Sequence, residues 1–172
     1  MDDSQKMLDY LDNYRPTGRP VAERKEPAKE LQQLDFLLGR MVSHFNTGVR
    51  FEAETRPIMG GHYYVMDLHA THQDGTPKLD GIWIIGWSEV DNHFESYYVD
   101  SLGTMGTSTS PGWEDGHLAF VGSHVVGEVG VRTMTKDFYT PIDDDHFRLD
   151  AYVEVDGEWK LYDVQQCERT RL

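Results

Sequence analysis

The sequence has 172 residues, enough for one domain with a sizeable core, and 38% of them are hydrophobic. It is acidic, because 30 Asp and Glu residues against 16 Lys and Arg give a formal net charge of −14. That charge repels phosphate backbones and anionic membrane surfaces, so the composition argues against a nucleic-acid or membrane partner.

Residues 1–26 form a polar N-terminal arm. The spacing of Leu8, Tyr10 and Leu11 predicts one short helical turn, and the prolines that follow prevent a longer helix. We expect the arm to pack on the body of the protein or on a partner subunit, which leaves a homodimer possible. The arm lacks the basic and apolar regions of a signal peptide, so we expect a cytoplasmic protein.

A short amphipathic helix begins the domain predicted for residues 27–172. Pro27 suits a first helical turn, and Gly39 ends the pattern. Four leucines recur between them at helical spacing: Leu31, Leu34, Leu37 and Leu38. We expect this helix to cover the outer face of the segment 81–87, GIWIIGW, because that segment is apolar on both faces.

After Gly39 the hydrophobic pattern has a period of two, which is typical of strands. The strand candidates are 40–47, 50–57, 61–72, 80–89, 92–101, 105–109, 117–123, 129–139, 145–155 and 158–169. Tight turns such as Asp156-Gly157 separate them. Because closure removes exposed strand edges, the sequence predicts a mainly β protein, a single antiparallel up-and-down β-barrel of about 8–10 strands.

Alternation along each strand predicts which side chains face inward. In segment 61–72 the inward set is Tyr64, Met66, Leu68 and Ala70. In segment 145–155 it is Phe147, Leu149, Ala151 and Val153. Phe94, Ser96, Tyr98 and Asp100 share one face of segment 92–101. Segment 129–139 stays ambiguous, because both of its faces mix polar and apolar residues.

Three motifs resemble the DUF1579 family of bacterial proteins: LDFLLGR (34–40), IMGGHYYV (58–65) and GIWIIGWSEVDNHFESYYVDSLGTMG (81–106). The glycines and the Asp-Ser-x-Gly turn match the family pattern, namely Gly39, Gly60, Gly61, Gly86, Asp100, Ser101 and Gly103. Tyr98 stands where the family usually has Trp, and Met41 likewise replaces a Trp. The resemblance covers about residues 30–170 and implies a calycin/lipocalin-like barrel. It implies no established activity and no catalytic residues.

Asp100 and Tyr98 are the candidate catalytic residues. They share a strand face, and Asp100 stands at the strand end before the turn Ser101–Thr104. Burial would raise the pKa of the carboxyl group and suit it to acid–base chemistry. The alternative is structural, because an aspartate in this position commonly accepts N–H bonds from its own turn.

Large polarisable side chains are the candidate ligand-binding residues: Tyr64, Met66, Trp83, Trp87, Tyr98 and Met134. A barrel of this size either fills its interior with side chains or holds one small ligand. Polar groups on the inward faces favour a cavity, because they are costly to bury without partners.

The sequence gives little indication of a metal site, of haem binding or of catalysis by a nucleophilic side chain. The eight histidines are scattered, and His69 and His72 point to opposite faces of one strand, so we predict no metal site and no cofactor. Cys167 is the single cysteine, which excludes an internal disulfide, and it has the context of an ordinary strand residue.

Three hypotheses follow. The first is a barrel that binds a small, mainly apolar or aromatic molecule, oriented by Tyr98 and Asp100. The second is an enzyme of small-molecule metabolism, such as a cyclase, isomerase or lyase, on the same barrel. The third is an interaction protein with a filled interior.

Overall fold

The computed structural model describes residues 2–13 and 26–170. In these ranges two helices longer than one turn are present: α1 (Asp3–Asn13) and a 3₁₀ helix that we name the plug helix (Lys29–Leu37). The strands are β1 (Gly39–Phe45), β2 (Arg50–Ile58), β3 (Tyr63–Thr71), β4 (Pro77–Ser88), β5 (His93–Asp100), β6 (Met105–Ser110), β7 (Trp113–Glu114), β8 (His117–Val126), β9 (Val131–Pro141), β10 (His146–Val155) and β11 (Glu158–Thr170). The rest of the predicted arm lies outside the described residues.

Helix α1 is longer than the single turn predicted for the arm. The Asp2 carboxylate accepts the backbone N–H of Gln5 at 2.9 Å, so it caps the first turn. The helix runs for 11 residues because the first proline of the arm, Pro16, lies beyond its last residue. Met7, Leu8 and Leu11 on this helix are exposed.

Ten antiparallel strands close into a barrel, which confirms the predicted fold class. Each strand from β1 to β6 pairs with the next, β8 to β11 do the same, and β1 pairs with β11. The β6–β8 pairing completes the ring. Strand β7, which the sequence analysis missed, has only two residues and pairs with β8 beside the barrel.

The register confirms the predicted inward faces of β3, β5 and β10. Met66 pairs with Trp83, which pairs with Tyr98, so these three side chains lie in one row of the interior. The same register resolves β9, whose parity the sequence left open. Its inward residues are Thr133, Thr135, Asp137 and Tyr139.

The plug helix enters one end of the barrel, which corrects the expectation that it covers the outer face of 81–87. Its buried side chains are Leu31, Leu34 and Leu37, spaced three residues apart. A 3₁₀ helix has three residues per turn, so this spacing places all three leucines on one inward face. The outer face of β4 is left partly to solvent, and Ile82 there is 42% exposed.

Packing is tightest where the plug helix meets the strands. Phe94, Leu118 and Phe120 are at most 1% exposed, and Phe36 of the plug helix contacts Phe147 edge-to-face at 5.2 Å. The other end of the barrel carries the turns β1–β2, β3–β4, β5–β6, β8–β9 and β10–β11. Neither described helix is long and apolar enough to span a membrane.

Candidate functional site

The interior divides into two halves along the barrel axis. The plugged half lies around the plug helix and is filled with apolar side chains. The open half lies at the end that carries the β5–β6, β8–β9 and β10–β11 turns. Its inward side chains include a polar set that we name the open cup: Tyr98, His124, Thr135, Asp137, Tyr162 and Asp163.

Asp137 lies on the wall of the open cup, near Asp163 and the hydroxyl groups of Tyr98 and Tyr162. The residue is partly buried and keeps accessible surface. It accepts no hydrogen bond from the described residues. Burial, with a smaller contribution from the charge of Asp163, raises the pKa of Asp137 to about 6. Because Asp137 is on the inward face of β9, this accessible surface is on the barrel side of the strand.

Asp163 lies two strands from Asp137 at the same level of the barrel. Both residues pair with Ala151, whose small side chain separates them, so their Cα atoms are roughly 10 Å apart. Asp163 is 4% exposed and its Oδ1 atom has no hydrogen-bond partner. Gln165 Nε2 donates to the other oxygen at 3.5 Å. Burial raises the pKa of Asp163 above its ordinary value.

Two β-bulges turn extra side chains toward the open end. In β11 the register shifts so that Tyr162 has no partner residue of its own on β10. In β4 the corresponding extra residue is Lys78. Bulges are frequent at barrel rims and beside active sites, where they redirect a side chain.

The charges around these bulge residues show where they point. Tyr162 lies near Asp137 and Asp163, and its pKa is raised, mainly by burial. Its side chain is nevertheless 57% exposed, so the ring lies in the mouth of the open cup. Lys78 pairs with Glu128 across the mouth at 3.5 Å. Its positive charge partly offsets the rise that burial causes in the pKa of Asp163.

Tyr98 and Asp100 form a fixed pair on β5. The Tyr98 hydroxyl donates to Asp100 Oδ2 at 3.1 Å, and the N–H groups of Leu102 and Thr104 donate to Asp100 Oδ1 at 2.9 and 3.0 Å. Asp100 therefore accepts N–H bonds from its own turn, as the structural alternative in the sequence analysis described. Burial, followed by the Asp100 charge, raises the pKa of Tyr98, so the hydroxyl stays protonated and keeps its acceptor lone pairs.

His124 lies against the inner wall above Gly106, where a Cβ would collide with the imidazole ring. Its Nδ1 atom is 2.6 Å from the Thr135 hydroxyl. Burial lowers the pKa of His124, with a smaller effect from Arg132, so the ring is neutral at physiological pH. A neutral imidazole with one bonded nitrogen leaves the other nitrogen available to the cup.

Trp83 lies at the boundary between the two halves and gives the open cup an aromatic floor. Its ring stacks parallel to Tyr139 at 6.3 Å and meets Phe120 edge-to-face at 5.1 Å. Met66, its neighbour in the same row, is buried beside it. These side chains fill the interior below the cup.

The other predicted ligand-binding residues lie elsewhere. The Tyr64 hydroxyl donates to Asp35 of the plug helix at 2.7 Å, and Trp87 packs on Phe94, so both belong to the plugged half. Met134 lies on the outer face of β9, where it is 36% exposed and pairs with Ser123. This corrects its assignment to the interior, which followed from the mixed polarity of both faces of β9.

Sequence reasoning missed Asp137, Tyr162 and Asp163. The series Thr133, Thr135, Asp137 and Tyr139 has a period of two, and this signal was available once Tyr139 was taken as buried. The inward orientation of Asp163 could not be predicted from a period of two, because the bulge at Tyr162 interrupts the alternation along β11.

The outer surface carries other features that we do not assign to the site. A groove of about 970 Å³ crosses β1 to β5 and is lined by charged side chains, among them the ion pair Arg40–Glu54. A second depression of about 300 Å³ lies beside the plug helix near Phe36 and His146. Asp91, His93 and Glu95 bring ligand atoms within 4.8 Å of one another at the surface, where Asp91 and Glu95 are exposed.

Comparisons with known proteins agree with the fold. A family model described as "Protein of unknown function (DUF1579)" matches residues 43–166. The crystal structure of Rv2717c from M. tuberculosis is similar with a TM-score of 0.64 and 15% identity, over 85% of this chain and 100% of that chain. The structure of EF1p2_mFAP2b bound to DFHBI gives a TM-score of 0.36 and 12% identity, over 83% and 100%. No curated protein matches the sequence.

Proposed function

The chain belongs to the DUF1579 family of proteins of unknown function, and we propose that its barrel binds a small, mainly apolar or aromatic molecule in the open cup. The observation that carries this proposal is the side chain of Asp137, which faces inward and is nevertheless accessible. A barrel whose interior was completely filled would cover that carboxyl group.

The surfaces of the open cup suit an aromatic ligand. Trp83 forms the floor and packs on the buried Phe120 beneath it, and the rings of Tyr98 and Tyr162 stand on the walls. Aromatic side chains give a ligand a large contact area at a small cost in side-chain entropy, and a few polar groups then fix its orientation. Apolar and aromatic walls of this kind favour a flat, mainly hydrophobic ligand.

Tyr98 is the residue that we propose orients the ligand. Because its hydroxyl proton is donated to Asp100, the oxygen presents acceptor lone pairs in a fixed direction. Asp100 is in turn held by two turn amides. In this proposal Asp100 is a positioning residue that acts through Tyr98.

The enzyme alternative is favoured by one observation, which concerns Asp137 and not Asp100. A general acid or base needs a carboxyl group with a pKa near the working pH and with free oxygen atoms. Asp137 meets both conditions, and the Tyr162 hydroxyl near it is a hydrogen-bond donor. Acid–base chemistry on a bound molecule therefore remains the second candidate function.

Binding is tested with N-phenyl-1-naphthylamine, an uncharged dye whose fluorescence rises in apolar sites. We expect saturable binding at one site in the unaltered protein. Thr135→Trp, which fills the open cup, should weaken binding by roughly tenfold or more. Thr109→Trp, on the exposed outer face of β6, is the matched control and should bind as the unaltered protein does.

Circular dichroism checks that both variants are folded. An unaltered protein that gives no saturable fluorescence increase would contradict the proposal. So would a folded Thr135→Trp variant that binds the dye normally, because the dye would then occupy a site outside the cup.

A further inference from the structure

We propose that the open cup recognises a positively charged group on its ligand, an amine or ammonium, through Asp137 and Asp163. The inference rests on the proposed function, because it adds a charge to the class of molecule bound there. It concerns two residues that the sequence analysis did not single out.

The first argument is the unpartnered carboxylate oxygen of Asp163. A charged group that is nine-tenths buried normally has its hydrogen bonds satisfied, because an unmet one costs about 1–3 kcal/mol. Asp163 Oδ1 has no partner among the described residues, although the residue is 4% exposed. In this proposal the missing partner is a hydrogen-bond donor of the ligand.

The second argument is the charge balance of the open half. Asp100, Asp137 and Asp163 face inward there. The charge of Lys78 acts on Asp163, but its ammonium group also binds Glu128. Lys160 at the rim binds Glu158. The carboxylates of the cup therefore retain an excess of negative charge, which a cation would neutralise.

The third argument is the position of the aromatic rings. Tyr98 and Tyr162 lie close enough to Asp137 to interact with its charge. Tyrosine faces attract a cation within about 6 Å, and desolvation inside a barrel strengthens that attraction. An ammonium group between the two carboxylates would therefore also contact aromatic surface.

An organic cation fits this site better than a metal ion does. In the described part of the chain, neither Asp137 nor Asp163 belongs to a cluster of three side chains at metal-binding distance. Their Cα atoms, separated by two strand spacings of roughly 5 Å each, leave room for a group larger than a bare ion.

Calorimetry with two test ligands of nearly equal shape tests the inference. Phenethylamine carries the ammonium group, and 2-phenylethanol replaces it with an uncharged hydroxyl. At about pH 8, where both carboxyl groups are ionised, we expect phenethylamine to bind roughly tenfold more tightly or better. Asp163→Asn and Asp137→Asn should each reduce this preference severalfold. Asp67→Asn on the outer face, where Asp67 pairs with Arg56, is the control and should keep it.

The pH dependence gives a second readout. Asp137 is faced by Tyr98 from β5 and by Tyr162 and Asp163 from β11, with Tyr139 on its own strand. His124 of β8 lines the same cup, and burial lowers its pKa, so it stays neutral in this range as the tyrosines do. Affinity for phenethylamine should therefore fall as the pH drops through about 6, where Asp137 takes up a proton. In Asp137→Asn this fall should be smaller.

The outcomes separate the inference from the proposed function. Equal binding of the two test ligands, or no binding of phenethylamine by a protein that binds N-phenyl-1-naphthylamine in the cup, overturns the inference and leaves the proposed function standing. A preference that survives in both aspartate variants also overturns it, because the cation would then bind elsewhere. Failure of the dye to bind overturns the proposed function itself.

Discussion

The plugged half and the open half are built from the same ten strands but use their inward positions differently. Around the plug helix these positions hold Leu118, Phe94 and Phe147, which belong to one apolar core with the leucines of the helix. At the open end they hold carboxyl, hydroxyl and imidazole groups, and neither Asp137 nor Asp163 Oδ1 has a hydrogen-bond partner among the described residues. We conclude that stability is concentrated in the plugged half, while the open half retains unsatisfied polar groups that suit it to binding.

The largest effect is expected in the plugged half. Leu34 is completely buried, so Leu34→Ala leaves a cavity and should lower the free energy of unfolding by about 3–4 kcal/mol. Val153→Ala is the matched truncation in the open half and should cost less than about 1 kcal/mol, because its side chain already faces space. Urea denaturation measures both. Similar losses in the two variants would mean that the halves do not differ.

An effect of intermediate size is expected for Asp137→Asn, which should raise the free energy of unfolding instead of lowering it. Its pKa is about 6 in the folded protein, above the ordinary 3.8, so the folded state holds its proton more tightly than the unfolded state. This contribution to stability is complete below about pH 4 and is lost as the pH rises through about 6. Asp137→Asn should therefore stabilise the protein by about 2 kcal/mol at pH 8 and by little at pH 4.

Denaturation at the two pH values measures that change, with Asp67→Asn as the control. A destabilised Asp137→Asn at pH 8 would show that the carboxylate is paired in the folded protein, contrary to the structure.

The smallest effect is expected at Asp100. Asn in its place keeps an oxygen for the N–H groups of Leu102 and Thr104, so Asp100→Asn should cost about 1 kcal/mol. Its affinity for N-phenyl-1-naphthylamine should fall by severalfold at most, because the Asn NH₂ group cannot accept the Tyr98 hydroxyl proton and Tyr98 loses its fixed direction. Asp74→Asn, in the exposed β3–β4 turn at the same end, is the matched control. A tenfold loss of affinity in Asp100→Asn alone would show that this carboxylate contacts the ligand.

Much of the barrel could be predicted from the sequence, because alternation and turn residues are local signals. The inward faces of β3, β5 and β10 follow from residues two apart, such as Tyr98 and Asp100. The position of the plug helix could not be obtained in this way. Leucine spacing predicts a helix, but whether it covers a sheet or enters a barrel depends on contacts between distant segments.

The site was harder to predict than the fold for a physical reason. The bulges at Lys78 and Tyr162 change the direction of side chains without any marked change in composition, so counting residues along β11 misplaces Asp163. On β9, Met134 is outward and Asp137 is inward, the reverse of what hydrophobicity alone favours. A functional site places polar groups inside, so rules based on burial fail there. The homodimer and the cytoplasmic location stay predictions.

The central claim is that the plugged half is filled and the open half is accessible. Thiol labelling of cysteines introduced at two inward-facing positions tests it most directly. Ser96 and Thr135 lie in one row of the interior, joined through Ser108 and Gly122, but Ser96 is buried and Thr135 keeps accessible surface. Burial raises the pKa of the native Cys167 to about 12, so that thiol stays unreactive. We predict that Thr135→Cys reacts with uncharged 4,4′-dithiodipyridine roughly tenfold faster than Ser96→Cys. Equal, slow rates in the two folded variants would contradict the account, because both halves of the barrel would then be filled.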